Sequence, residues 1–110
     1  MNRMILLELQ TRPDEADKLL SLMRSVRALA VQHPGYEGGT FWRSTEDPNK
    51  LVVVTHWRTL DGWETFKKTP AMTEVLSSIS PLLSQPLVER QLTSAENDTF
   101  TFLQGRPKRW

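Results

Sequence analysis

Three aromatic side chains, Trp57, Trp63 and Phe66, lie within one ten-residue stretch of the sequence. Their rings could stack on a flat, electron-rich molecule and so form the wall of an aromatic-binding pocket. Packing in a hydrophobic core is the competing interpretation, in which each Trp needs only one partner for its N–H. Both interpretations stay open for these residues, and Trp42 is either a core or an interface residue.

The titratable side chains offer few candidates for acid and base chemistry. His56 follows a run of β-branched residues, and a lone His can act as a general base near neutral pH. His33 lies at a predicted helix end, where capping explains it. Glu8 could be a base, although a solvated strand end is the simpler explanation. Arg43 and Arg58 could bind an anionic group, but surface positions are the default for arginine.

Composition excludes several classes of protein. The 110 residues include no cysteine, which rules out disulfides, thiolate nucleophiles and Cys-ligated metals. Its only two histidines are 23 positions apart, which disfavours a metal site. It has no glycine-rich phosphate-binding motif, so a nucleotide or flavin site is not indicated. A net charge of +1 gives no electrostatic reason to expect nucleic acid or an anionic membrane as partner. We expect a cytoplasmic protein that has no metal site.

Two periodicities predict the elements that must position these residues. Met4–Gln10 alternates as a strand with apolar residues on both faces. Pro13 suits the first turn of a helix, and apolar residues then recur at helical spacing from Ala16 to Ala30. Pro34-Gly35 is typical of the end of that helix.

The second half predicts a hairpin, a second helical segment that restarts at Thr69-Pro70, and a last strand. Strand two is expected over Thr40–Ser44 and strand three over Leu51–Arg58, joined by the turn-forming segment EDPNK. Thr59 and Thr69 are each expected to cap a helix. Strand four is predicted over Leu87–Leu92.

The resulting order, β-α-β-β-α-β, is the ferredoxin-like arrangement of the α+β class, with its helices on one face of an antiparallel sheet. Strands one and three carry apolar residues on the other face as well. Burying about five such side chains is worth about 1.5–3 kcal/mol each, a large share of a domain's net stability of about 5–15 kcal/mol. We therefore expect a second copy to cover that face, which gives a homodimer.

We expect one domain over residues 1–92 and a C-terminal extension over residues 93–110. Phe100 and Phe102 are predicted either to dock on a sheet edge or partner subunit, as in strand addition, or to belong to a disordered tail. The tail also contains the basic segment Arg106–Arg109. A third possible role for the protein is therefore that of an interaction protein whose tail docks on another molecule.

Taken together, these features resemble the antibiotic biosynthesis monooxygenase (ABM) family of small dimeric α+β barrel proteins. The resemblance spans Met4 to about Leu92. It rests on the first strand and helix, on HPGYEGG and EDPNK, and on a strand ending in Trp57 within WRTLDGWETF. It implies two sheets packed face to face in a dimer and, in each subunit, a pocket between sheet and helices.

The resemblance also implies site residues. In family members that oxidise aromatic molecules to quinones without a cofactor, residues equivalent to Trp57 and Trp63 line the pocket. A commonly used His is replaced here by Phe66, and a polar residue by Val53. If Trp57 faces the pocket, His56 points the other way, toward the dimer.

The haem-degrading branch of the family requires a polar residue on strand one and a His on the second helix. This chain has Leu6 and Leu76 at those positions, so haem is disfavoured.

We therefore predict a homodimer that binds a small aromatic or apolar molecule and oxidises it with O₂ and no cofactor. The catalytic candidates are Trp57 and Glu8, with Glu8 and Leu6 placed on the pocket side by the resemblance. The alternative is a non-catalytic binding or accessory module, which the two replacements favour. The substrate-binding candidates are Trp63, Phe66, Leu6, Val53, Met72 and Leu76.

Overall fold

The computed structural model describes residues 3–95, which form a four-stranded antiparallel sheet and three α-helices. The sheet order, β2-β3-β1-β4, is that of the ferredoxin-like α+β fold, which confirms the predicted fold class. Phe100, Phe102 and Arg106–Arg109 lie outside the described residues. The strands are β1 (Arg3–Gln10), β2 (Tyr36–Arg43), β3 (Lys50–Trp57) and β4 (Val88–Thr93); the helices are α1 (Ala16–Val31), α2 (Leu60–Lys67) and α3 (Pro70–Ile79), which is followed by a 3₁₀ turn (Ser80–Leu82).

The two faces of the sheet differ in what covers them. Side chains on one face are buried against the helices in a single core, and this covered face includes Ile5, Leu7, Leu9, Leu51, Val53 and Trp57. The opposite, open face has no layer above it in the described part of the chain. It carries half-buried Met4, Leu6, Val52 and Val54, and Trp42, which is 60% exposed.

Two predicted boundaries were wrong. The first helix begins at Ala16 rather than at Pro13, because Asp14 has a left-handed φ of 68° and breaks the helical path. Strand β2 begins at Tyr36, four residues before the predicted start, and it contains a bulge between Tyr36 and Gly38. Gly38 has a φ of +131°, a conformation that a side chain would strain. Its two glycines hid this strand from propensity arguments, and pairing with β3 supplies its hydrogen bonds.

Both predicted helix caps are confirmed. Thr59 Oγ1 accepts a hydrogen bond from the Gly62 N–H at 3.2 Å, and Thr69 Oγ1 accepts one from the Met72 N–H at 3.3 Å. These caps fix where α2 and α3 begin, and therefore which of their side chains face the sheet. No helix of the described residues is long and apolar enough to cross a membrane.

Candidate functional site

Trp57 lies at the centre of an aromatic cluster between the sheet and the helices. The side chain is fully buried, with 0% exposure. Its ring centroid lies 5.3 Å from that of Tyr36, 5.4 Å from Phe66 and 5.8 Å from Trp63. These separations fall in the range of favourable aromatic pairs. The three predicted aromatic residues are therefore brought together, and Tyr36 joins them.

The N–H of Trp57 is already occupied. It donates to Thr55 Oγ1 at 3.0 Å, and the Thr55 hydroxyl donates to the Ile5 carbonyl at 3.4 Å. This chain of hydrogen bonds fixes the orientation of the indole. Trp57 can therefore present its ring face or edge to a ligand but has no free donor.

A cavity of about 70 Å³ adjoins this cluster and is almost entirely apolar. β1 and β3 supply its floor, with Leu7 and Val53 among the lining residues. The cavity has about half the volume of an engineered apolar cavity of about 150 Å³ that admits benzene. Even a ligand with one ring must therefore displace side chains, and the unbranched Met23 and Met72 in the lining are suited to moving.

Six of the eight predicted site residues line this cavity. They come from β3, α2 and α3, which the sheet and the two capped helices bring to one side. They are Val53, Trp57, Trp63, Phe66, Met72 and Leu76.

The predicted position of Leu6 and Glu8 on the pocket side was wrong. Leu6 pairs with Val54 and Glu8 pairs with Val52, so both point to the open face, away from the cavity. The reason is the register of β1 against β3, since residues that pair across strands share a face. Leu7 and Leu9 occupy the cavity side of β1 instead.

On the open face Glu8 is held by two cations. Its carboxylate lies 2.6 Å from Arg90 Nε and 3.7 Å from Lys50 Nζ. The hydrogen bond from Arg90 is the main reason that the pKa of Glu8 lies below its usual value. Glu8 is therefore an ion-paired surface carboxylate, and it cannot reach a ligand in the cavity.

The carboxylate that does line the cavity is Glu89, on β4. It accepts hydrogen bonds from Trp63 Nε1 at 3.1 Å, Lys67 Nζ at 3.2 Å and Gln91 Nε2 at 2.9 Å. Burial acts to raise the pKa of Glu89, but the three donors outweigh it and the pKa is lowered. Glu89 thus ties α2 to the sheet edge and is a weak base.

At the opposite edge of the sheet, Arg27 and Tyr36 line the cavity. The guanidinium carbon of Arg27 lies 4.9 Å from the centroid of the Phe41 ring, in cation–π geometry. Burial raises the pKa of the Tyr36 hydroxyl, and the nearby Arg27 charge acts in the other direction. Reasoning from the sequence missed Glu89, Arg27 and Tyr36. Of the three, only Glu89 had a signal in the sequence: the alternation of the predicted strand four places it on one face with Leu87 and Gln91.

The remaining candidates lie outside the cavity. His56 pairs with Met4 and points to the open face, while His33 packs its ring 6.1 Å from that of Trp57 and 5.4 Å from that of Phe66. Arg43 and Arg58 form ion pairs with Asp17 and Glu37, respectively. Within residues 3–95 no group of three or more acidic, His or Cys side chains could hold a metal.

A family model for antibiotic biosynthesis monooxygenase (ABM) proteins matches residues 3–77. The chain belongs to the ABM family. No curated protein matches the sequence at a significant level. The ABM family model covers β1 through most of α3. It therefore includes all of the cavity lining except Ile79, Leu87 and Glu89.

Solved structures agree with the ABM assignment at the level of fold. Rv0793 from Mycobacterium tuberculosis matches with a TM-score of 0.79 and 15% identity, over 88% of this chain and 98% of that one. SnoaB, a cofactor-independent oxygenase from Streptomyces nogalater, gives 0.79 and 14%, over 87% and 95%. A conserved protein from Methanosarcina mazei Go1 gives 0.78 and 13%, over 84% and 91%.

Two departures from the ABM pattern that the resemblance implied lie in the cavity wall. Val53 stands where a polar residue was expected, and Phe66 where a His was expected; both line the cavity. Each removes a group that could transfer a proton. The cavity of this ABM protein is therefore more apolar than the resemblance alone implied.

Proposed function

We propose that this protein binds a small aromatic molecule in the cavity and oxidises it with O₂ without a cofactor. The observation that carries the proposal is the apolar cavity walled by the rings of Trp57, Trp63 and Phe66. Membership of the ABM family supports it. Further support comes from the likeness in fold to SnoaB, itself a cofactor-independent oxygenase.

In a reaction of this kind the substrate supplies the electrons. A methylene carbon between aromatic rings loses both hydrogens and is oxidised to a carbonyl; one atom of O₂ becomes the carbonyl oxygen and the other leaves as water. The protein would hold the substrate in a dry site, orient it and favour its deprotonated form. The aromatic cluster and the satisfied indole N–H groups suit the first two tasks.

Oxygen consumption with anthrones and electron-rich phenols tests this proposal. We expect uptake by the wild type, and at least a tenfold lower kcat/KM for Trp63→Leu, since loss of a ring that positions the substrate costs roughly this much or more. Trp42→Phe, on the open face, is the aromatic control and should retain activity. Absence of uptake in the wild type, or full activity in Trp63→Leu, would contradict catalysis.

A second candidate function is binding without chemistry. It is favoured because three hydrogen-bond donors already hold the Glu89 carboxylate and because Val53 and Phe66 are apolar. Among residues 3–95, Glu89 is the carboxylate that lines the cavity, and its three donors leave it a weak base. In that case aromatic ligands would bind and quench Trp fluorescence with no oxygen uptake. Binding and turnover measured on the same preparation therefore separate the two functions.

We also propose that two copies pair through the open face. Support comes from half-buried Leu6 and Val54 at its centre and from exposed Trp42 near one edge. Apolar side chains grouped on one uncovered sheet face usually mark an interface, and ABM proteins were expected to pair in this way.

Sedimentation velocity tests the pairing. We expect wild-type dimers at micromolar concentration and monomers for Leu6→Lys, because like charges placed across a twofold interface cost several kcal/mol. Val31→Lys, at an exposed apolar position on α1, is the matched control and should stay dimeric. A folded wild-type monomer at micromolar concentration would contradict the proposal.

A further inference from the structure

The two ends of the cavity differ in how their polar groups are satisfied. At the β4 end, Glu89 and Lys67 hold each other, and Trp63 donates to the same carboxylate. In the middle, Thr55 is engaged by Trp57 and by the Ile5 carbonyl. These groups have little capacity left for a ligand.

At the β2 end the Tyr36 hydroxyl is unpaired. It makes no hydrogen bond to any of residues 3–95, although the side chain is half-buried and lines the cavity. Its O–H is therefore available to a ligand that enters the cavity. Burial raises the pKa of Tyr36, so the hydroxyl keeps its proton at neutral pH and remains a donor.

Gly39 is needed for this placement of Tyr36. A Cβ atom at residue 39 would lie 2.9 Å from the Tyr36 hydroxyl oxygen and 2.8 Å from the Val54 carbonyl oxygen. Any larger residue would therefore push the hydroxyl away. Gly39, one of the two glycines that made β2 hard to predict, thus leaves the space that the Tyr36 hydroxyl occupies.

Arg27 adds a positive charge at the same end. It forms no ion pair with any carboxylate among the described residues, and its guanidinium lies over the Phe41 ring. A guanidinium stacked on a ring keeps the N–H donors along its edge free. The β2 end therefore offers a neutral donor and a solvent-exposed cation, and no carboxylate of residues 3–95 forms an ion pair with that cation.

We propose that Tyr36 and Arg27 bind the ionised oxygen of an aromatic ligand, a phenolate or an enolate, whose ring lies against the aromatic cluster. This inference rests on the proposed aromatic site and names its ligand class. Because the cavity of about 70 Å³ must widen even for one ring, an oxygen attached directly to the ring, which adds less bulk, is favoured over a carboxylate. The ligand's proton leaves to solvent, because Glu89 is already held by its donors.

Titration with three matched probes tests the inference: 4-nitrophenol, its methyl ether 4-nitroanisole, and 4-nitrobenzoate. We expect wild type to bind 4-nitrophenol as the phenolate, seen as its absorbance band below the pH at which the free phenol ionises. Tyr36→Phe should weaken phenolate binding about tenfold or more, since hydrogen bonds to charged groups are the stronger ones. Binding of the methyl ether should not change.

Arg27→Met should also weaken phenolate binding selectively. Arg24→Met, one turn earlier on α1 and absent from the cavity lining, removes the same charge and should leave all three affinities unchanged. Equal loss for phenolate and ether in Tyr36→Phe would overturn the inference. So would 4-nitrobenzoate binding that depends equally on Tyr36, because the ligand class would then be a carboxylate.

The ether separates this inference from the proposed function. If the ether binds in the wild type and the phenolate binds no better, the aromatic site stands and the anion-binding end fails. If none of the three probes binds, the aromatic site fails, and the inference fails with it.

Discussion

Two carboxylates, Glu8 and Glu89, lie close together on neighbouring strands but on opposite faces of the sheet. Leu7 pairs with Glu89 and Glu8 pairs with Val88, so the two side chains are one residue apart in register. Both have a lowered pKa, for different reasons. Two cations hold Glu8 near solvent, whereas three donors outweigh the effect of burial at Glu89.

The comparison extends to the tryptophans of the two faces. Trp57 is fully buried and its N–H enters a hydrogen-bond chain that reaches β1. Trp42 is 60% exposed, and its N–H donates to Thr40 in the same strand. Each indole N–H therefore bonds to a threonine of its own strand, but only the Thr55 hydroxyl passes the chain on to a second strand. The covered face is therefore a packed core that contains the cavity, whereas the open face leaves a large aromatic side chain exposed, as the proposed pairing of two copies requires.

Replacing Trp57 should have the largest effect of the changes considered. Trp57→Ala removes a fully buried ring from the centre of the aromatic cluster, and such truncations cost about 3–5 kcal/mol of unfolding free energy. The loss should not depend on protein concentration, because it arises within one protomer. Urea denaturation at several concentrations measures both properties.

Trp42→Ala is the corresponding change on the open face. The unfolding free energy of a single protomer should fall little. If the wild type is a dimer, its unfolding free energy rises with protein concentration, since association stabilises the folded state by mass action, and the difference from the variant should grow accordingly. Equal and concentration-independent losses in the two variants would contradict the division of the sheet into a core face and an assembly face.

Glu89→Gln should have an intermediate effect. The variant keeps an acceptor for Trp63 but loses its charge pair with Lys67, which should cost about 1–2 kcal/mol at neutral pH because a charged hydrogen bond becomes a neutral one. The folded pKa of Glu89 is lowered from 4.5, so its stabilisation is present above pH 4.5 and is lost as the pH falls through the folded value. Acid titration of unfolding free energy should be flatter in the variant.

Glu8→Gln is the control on the other face. At protein concentrations low enough for the proposed dimer to dissociate, its ion pair with Arg90 is exposed, so we expect a smaller loss at neutral pH that added salt removes. Salt should affect Glu89→Gln less, since the two carboxylates are about equally shielded but Lys67, the partner of Glu89, is less exposed than Arg90, the partner of Glu8. A larger or salt-resistant loss in Glu8→Gln would contradict the comparison.

Sequence periodicity was sufficient to predict the fold because the signals for its elements are local. Helical spacing from Ala16 onward and the caps at Thr59 and Thr69 each operate within a few residues. The position of Trp57 at the end of a buried strand followed from its β-branched neighbours. The three rings were therefore expected near one another before their contacts were known.

The polar residues of the site could not be predicted in the same way. Both faces of β1 are apolar in sequence, so only the pairing of Leu7 with Val53 decides that Leu6 and Glu8 point away from the cavity. Glu89 reaches Trp63 because β4 pairs with β1, more than 80 positions earlier in the chain. Strand register is a long-range property, and a one-residue change of register would exchange the two faces.

Removing the cap of α2 should have the smallest effect of the three changes on the covered face, after Trp57→Ala and Glu89→Gln. It perturbs the cover of that face and leaves the sheet intact. Thr59→Ala loses the acceptor for the Gly62 N–H, which should cost about 1 kcal/mol. Since α2 carries Trp63 and Phe66, aromatic binding should weaken while the sedimentation coefficient stays unchanged. Thr45→Ala, in an exposed turn, should change neither property. A variant that lost assembly but kept ligand binding would show that α2 supports the open face, contrary to the division between the two faces.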